Sequence, residues 1–377
     1  MTCSAVSPPE RDTEENEAVL ATTVARLCGR PVLAVEPRMG GGNNRLYRVA
    51  VADDRFLALK SYGPAAADHR NDRLSREFSA LSFLGRHGRD EVPEAVATDL
   101  TERLALYGWI DGTPPSRAPT RRLPDDMDAM IRFILAVQEL RTTDGAAAIG
   151  PAAEACPDGA ELLRQIRARL DVLAGLKDEP ALTAFLRESF APALGEAEER
   201  LHSLYRAEGL TADTPVLAER AILSPSDFGF HNALRRPDGR LAFLDLEYFG
   251  WDDPVKLLAD TLWHPAYRLS PTEQIRWLEG VGMPLAATDQ TLMVRLRACM
   301  PLYGLRWCVI LLNEFLPERW RRRVRAGTTA DWQQTKATQL AKAHGWLTEV
   351  HRLTSLPTSA RLTDAMPLHL PALSLAE

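Results

Sequence analysis

Asp227 and Asn232 stand five residues apart in the segment Ser226-Asp227-Phe228-Gly229-Phe230-His231-Asn232, and Asp245 follows thirteen residues later, after the apolar run Leu241-Ala242-Phe243-Leu244. Far upstream, Lys60 closes the run Phe56-Leu57-Ala58-Leu59, and the cluster Gly40-Gly41-Gly42-Asn43 precedes it. These residue types at this spacing suit phosphoryl transfer. That reaction needs phosphates held still, their charge neutralised, and an acceptor hydroxyl aimed and deprotonated. One carboxylate, Asp227, can take the hydroxyl proton. The amide oxygen of Asn232 and the carboxylate of Asp245 are hard oxygen ligands of the kind Mg2+ prefers. The ammonium of Lys60 can bind the α- and β-phosphates, and glycines let backbone amides approach them closely.

The elements that must position these groups read as follows. Residues 1–15 are polar, contain Pro8 and Pro9, and read as a tail. Residues 16–28 carry apolar residues at helical spacing. Leu46-Tyr47-Arg48-Val49-Ala50-Val51 and Phe56 to Lys60 read as an antiparallel hairpin turning at Asp53-Asp54. Residues 68–87 are helical, with Leu74, Phe78, Leu81 and Leu84 on one face. Two further strands span Val92 to Leu100 and Leu104 to Ile110. The stretch Asp111-Gly112-Thr113-Pro114-Pro115 then breaks the pattern and marks the boundary between an N-terminal lobe, 16–111, and a C-terminal lobe, 112–356. Helical periodicity dominates 124–142, 160–174, 179–206, 254–264, 290–316 and 330–354. One β-like interruption lies between Val216 and Leu246, and the proline-containing stretch 357–377 reads as an extended tail. The fold class is α+β: a small antiparallel β-rich lobe followed by a large, mainly helical one, a layout that suits a nucleotide held between lobes.

Composition narrows the function classes. With 45% hydrophobic and 25% charged residues the chain has the balance of an ordinary globular protein. A net charge of -6 argues against a general nucleic-acid binder. The five cysteines are scattered with no C-x-x-C pair, so neither a zinc site nor a disulfide framework is expected, and reduced thiols point to a cytoplasmic setting. No apolar run reaches the length of a membrane span.

The pattern Asp-x-x-x-x-Asn, then a strand ending in Asp, resembles the protein-kinase catalytic set. It is more similar to the aminoglycoside phosphotransferase and choline kinase superfamily, whose loop usually reads His-Gly-Asp-x-x-x-x-Asn. The resemblance runs over roughly residues 30–350. It implies a protein kinase-like bilobal fold, with Asp227 as catalytic base and Asn232 and Asp245 as metal ligands. It also implies that Lys60 pairs with Glu77 on the following helix and that Gly41, Gly42 and Asn43 cradle phosphates. In the same way it places Trp109 and Ile110 at the hinge that holds adenine. ATP, or else GTP, with Mg2+ is the implied cofactor set, and a small-molecule hydroxyl compound the implied acceptor, in a monomer or homodimer. Family analogy puts acceptor residues in the helical lobe; Glu247, Asp260, Trp263, Tyr303, Trp307 and Glu314 are the candidates. Two departures stand out. The usual His-Gly before the base is Pro225-Ser226, which removes a bracing histidine, and His231 is not counted as its replacement. The glycine loop is Gly-Gly-Gly-Asn-Asn rather than a spaced pattern.

Three narrower or competing readings follow. Aminoglycoside resistance predicts an acidic pocket for a polycation. A non-catalytic nucleotide-binding protein of this fold predicts a lost base or metal ligand, and all three are present. A protein kinase predicts an activation segment after Asp245, for which there is no room. Asp227-Phe228-Gly229 spells the metal triplet of protein kinases, but no Asn lies in 200–220 to complete that set, so the triplet reads as coincidence.

Overall fold

The computed structural model describes residues 10–38, 44–63, 72–325 and 330–370. The chain divides into two compact units, residues 1–111 and 112–377.

In the first unit, β1 (Val32–Arg38), β2 (Arg45–Val51), β3 (Arg55–Ser61), β4 (Ala95–Asp99) and β5 (Leu104–Gly108) form an antiparallel sheet in the order β1-β2-β3-β5-β4. The period-two alternation of β2 sends Tyr47, Val49 and Val51 inward, where they meet Leu57 and Leu59 of β3 and Leu104 and Leu106 of β5. Burying each such side chain stabilises the unit by about 1.5–3 kcal/mol. The register pairs Val51 with Arg55. Asp53 and Asp54 between them take φ of 69° and 53°, as a tight hairpin turn requires. Helix α1 (Glu10–Cys28) covers one side of the sheet through Val24, and α2 (Arg73–Arg86) packs Leu74, Leu81 and Leu84 inward. The N-cap of α2 is Asp72, whose carboxylate accepts from the Ser75 amide. Helix α1 begins six residues before the expected start, inside the stretch read as a tail; its Glu-rich first turns favour helix.

The second unit contains α3 (Asp126–Glu139) and α4 (Gly159–Ala174). Helix α5 (Pro180–Phe185) passes through a π-turn into α6 (Ala191–Ala207). After four short strands come α7 (Pro254–Trp263), α8 (Pro271–Trp277), α9 (Met283–Ala286), α10 (Leu292–Leu311), α11 (Pro317–Arg325), α12 (Trp332–Thr354) and α13 (Leu362–Ala365). Helix α10 is apolar nearly all round, and it is the buried axle of the unit, packed by α4, α6, α7 and α12. Gly304 permits this. A Cβ there would meet the Val350 side chain at 2.7 Å and the Trp263 ring at 2.8 Å.

The strands are β6 (Ile222–Ser224), β7 (Ala233–Arg235), β8 (Leu241–Phe243) and β9 (Gly250–Asp252). They make two antiparallel pairs, β6 with β9 and β7 with β8. The Asp227 loop joins β6 to β7, and Asp245 follows β8. The segment expected as an extended C-terminal tail is docked through residue 370. Leu368 is buried, its amide donates to the Gln274 side chain, and Arg268 donates to the Leu370 carbonyl. These partners satisfy backbone groups that burial would otherwise leave unpaired.

Candidate active site

In the first unit, strand β3 carries Lys60 and helix α2 carries Glu77. The Lys60 ammonium lies 2.6 Å from Glu77 Oε2, with side chains 13% and 4% exposed. Tyr62 donates to the same oxygen at 2.6 Å, and its hydroxyl lies 2.8 Å from that of Tyr107. A buried carboxylate needs such partners to remain ionised. Trp109, half-buried after β5, donates from its indole to Asp111 Oδ1 at 2.9 Å, and its amide donates to the Phe56 carbonyl. Ile110 is half-buried beside it. Gly41, Gly42 and Asn43 lie outside the described residues.

In the second unit, the loop after β6 is shaped by its flanks. Ser226 adopts φ 67°, the left-handed conformation that explains why glycine is usual at this place. Its buried hydroxyl accepts from the Lys256 ammonium at 2.6 Å, an interaction glycine could not make. Phe228 is buried against Phe133, Phe243 and Trp277. Gly229 is required by packing, because a Cβ there would meet the Tyr267 ring at 2.3 Å. The kinase-like spelling Asp-Phe-Gly thus has a packing origin: an aromatic anchor and a close contact.

Asp227 sits between these anchors with its side chain 38% exposed. Its Oδ1 lies 3.0 Å from His231 Nε2 and 3.2 Å from His264 Nε2. His264 Nδ1 accepts from the Ala266 amide, so Nε2 carries the proton and donates to Asp227. Burial, and next the neighbouring His231, push the His264 imidazole down to about 4, so it acts as a neutral donor. Burial also opposes the charge on Asp227, but the hydrogen bonds from the two histidines outweigh it and hold the carboxyl well below the usual carboxylate range. Asp227 Oδ2 has no partner among the described residues. His231, not counted above as a replacement for the missing histidine, contacts the carboxylate from one turn beyond Asp227, and His264 does so from the end of α7. The two imidazoles stack at 4.0 Å and 16°. Both Nε2 atoms converge on the one Asp227 oxygen, so the stacked pair braces the carboxylate from one side.

Asn232 donates from Nδ2 to the Asp227 carbonyl at 3.0 Å, which pins the loop and leaves the amide oxygen without a partner among the described residues. The Leu244 amide donates to the Asn232 carbonyl, tying the loop to the end of β8. Asp245 follows with φ 61° and is half-buried, and one of its carboxylate oxygens lies within 4.8 Å of one from buried Glu247. An amide oxygen and two carboxylates are the hard donor set that fits Mg2+.

Asp227 also lines a cavity of about 270 Å³. Asp260 and Trp307, both anticipated as acceptor residues, line it too. The Trp307 indole donates to Asp260 Oδ1 at 3.0 Å, and Lys256 Nζ lies 2.9 Å from Asp260 Oδ2. Burial would lower the Lys256 pKa, but the Asp260 charge outweighs it and raises it. Arg306 reaches both Asp260 at 3.3 Å and Glu154 at 2.7 Å. Burial works against the Glu154 carboxylate, but Arg306 and Arg169 take it down to about 2. The other acceptor candidates are placed elsewhere. Trp263 and Tyr303 are core residues, 0% and 1% exposed, which corrects their assignment: they fill the space between α7, α10 and α12. Glu314 pairs with Arg323 at 2.6 Å, and it and Glu247 lie away from the cavity lining. Sequence reasoning missed His264, Glu154, Arg169 and Arg306. The i,i+4 spacing of Lys256 and Asp260 on a helix was the one local signal for this network.

No helix among the described residues is long and apolar enough to cross a membrane. No curated protein matches the sequence. Solved structures resemble the chain at low identity. Choline kinase LicA from Streptococcus pneumoniae is 15% identical, covers 89% of this chain and 99% of its own, and has a TM-score of 0.54. A spectinomycin phosphotransferase in complex with ADP and spectinomycin gives 11%, 88%, 98% and 0.57 in the same order. Plasmodium vivax ethanolamine kinase gives 13%, 82%, 82% and 0.53. These likenesses show the protein kinase-like fold, with its small antiparallel β-rich part and large helical part. A family model, that of the phosphotransferase enzyme family, matches residues 34–285, more than half of the chain, and to that family the chain belongs.

Proposed function

We infer that the protein transfers the γ-phosphoryl group of Mg-ATP to a hydroxyl of a small molecule, with Asp227 as base. The observation that carries this reading is the posture of Asp227. One carboxylate oxygen is held by two histidines, the other has no partner among the described residues, and the group lines a cavity of small-molecule size. A carboxylate fixed in this way stays ionised and takes the proton as the hydroxyl attacks. Asn232, Asp245 and Glu247 would hold Mg2+, which when bound neutralises phosphate charge. Lys60, kept on β3 by Glu77, would hold the α- and β-phosphates, and Trp109 and Ile110 would contact the base. The presence of base and metal-ligand candidates together weighs against a non-catalytic nucleotide binder.

The test is an ATP-consumption screen across alcohols, sugars, hydroxy acids, amino alcohols and aminoglycosides, repeated with GTP. Turnover that depends on one acceptor class and on Mg2+ is expected. Asp245→Asn should abolish Mg-dependent nucleotide binding measured by calorimetry; unchanged affinity would refute its metal role.

A further inference from the structure

Apart from Asp227, the charged side chains lining the cavity are the carboxylates Glu154 and Asp260 and the cations Arg169, Lys256, Arg306 and Arg319. Both carboxylates are already engaged. Asp260 receives Lys256, Arg306 and the Trp307 indole, and Glu154 receives Arg306 and Arg169. Among the described residues that line the cavity, a polycation would find no carboxylate outside these ion pairs except Asp227 itself.

The cations are not equally committed. Arg306 is only 4% exposed and is spread over two carboxylates, although its buried Nε has no partner among the described residues. Arg169, on α4, touches Glu154 through Nη2 alone at 2.6 Å, and its side chain remains 22% exposed. Its Nε and Nη1 donate to nothing among the described residues. Each of these N–H groups can donate to an oxygen of a carboxylate or phosphate, and the guanidinium keeps its charge.

Resting on the phosphotransferase reading, we propose that the acceptor carries an oxyanion, a carboxylate or a phosphate, and that Arg169 receives it in the cavity that Asp227 lines. The hydroxyl and the anionic group then occupy one small pocket. The anion meets the part of Arg169 that Glu154 leaves open, and the two carboxylates serve to hold the neighbouring cations in place.

The experiment compares acceptors built on one hydroxylated skeleton: the free acid, its amide, its phosphate ester and its amine, together with an aminoglycoside. Wild type, Arg169→Gln and Arg169→Lys are assayed with saturating Mg-ATP. The acid or the phosphate ester should be the preferred acceptor. Arg169→Gln should raise its KM about tenfold or more, leaving the KM for ATP and the amide's KM within about twofold, and Arg169→Lys should recover part of the loss. Preference for the amine or aminoglycoside overturns the proposal. So does an effect of Arg169→Gln on ATP rather than on the acceptor, which would assign Arg169 to the nucleotide. Should no member of the series be phosphorylated, thermal stabilisation by the acid and by inorganic phosphate decides. Stabilisation of wild type that Arg169→Gln loses supports the site, and equal behaviour of the two overturns it. A wild type that binds no Mg-nucleotide sinks the phosphotransferase reading separately, and the same binding measurement still decides the anion site.

Discussion

Lys60 and Arg306 are both cations held against buried carboxylates, but they are held differently. Lys60 presents a compact ammonium at the edge of burial, 13% exposed, on a carboxylate that also takes a tyrosine hydroxyl. Arg306 is spread as a fork over Asp260 and Glu154 with only 4% exposure, beside Lys256 on the same Asp260. A point charge on a flexible stem can turn toward an incoming phosphate with little rearrangement. A buried guanidinium bound to two carboxylates cannot leave without taking a partner from each. On the function proposed above, the first unit presents a cation for use, and the second employs one as scaffold around Asp227.

Substitutions can break that distinction or sharpen it. The largest effect belongs to Asp227→Ala, which should lower phosphoryl transfer by about 10²–10⁴-fold while nucleotide affinity stays unchanged, as steady-state kinetics beside calorimetry would show. Normal turnover would remove Asp227 from the chemistry. Next, Lys60→Met should abolish tight nucleotide binding with a modest loss of stability, whereas Arg306→Met should leave nucleotide affinity intact and lower stability by about 3 kcal/mol in denaturant unfolding. The reverse pattern would overturn the division between a working and a scaffolding cation. His264→Asn, which removes one of two donors to Asp227, should lower kcat about 10–100-fold with little change in KM for ATP, because the base loses its aim rather than its charge. Smallest is a pH effect. Glu154 has its carboxyl lowered from 4.5 to about 2, so its pairing stabilises the fold fully above about pH 4.5 and is lost as pH falls toward 2. The side chain is 43% exposed, so the contribution is small. The difference in melting temperature between wild type and Glu154→Gln should shrink over that window; a constant difference would show that the stabilisation is not ionic.

The parts of the site that lay on regular elements were legible in the sequence. The alternation of β2 and β3 and the helical spacing after them placed Lys60 on a strand and Glu77 on a helix; that the two meet was what the family resemblance implied, and their side chains do. Asp227, Asn232 and Asp245 were visible because a short loop and a short hairpin keep them close along the chain. His264 was not legible, since 37 residues separate it from Asp227 and only the fold of α7 returns it there. Arg169, Glu154 and Arg306 likewise come from a helix, a loop and the central helix, with no shared periodicity to link them. Trp263 and Tyr303 were misread for a related reason. An aromatic on a helix of this unit looks the same in sequence whether it faces a cavity or α12, and the close approach allowed by Gly304 decides in favour of packing.

The clamping of Phe228 and Gly229 has a bearing on how this protein tolerates change. Neither residue reacts, yet one is fastened into an aromatic cluster and the other lies under a tyrosine ring with no room for a methyl group. The loop works as a rivet rather than a hinge. A saturation mutagenesis of the chain should therefore score positions 228 and 229 as intolerant as position 227, and functional sensitivity alone would mistake the fastening for the chemistry. Inactive variants at the two flanking sites should regain function through compensating changes in the surrounding aromatics. Those at Asp227 should not, because no repacking supplies a carboxylate.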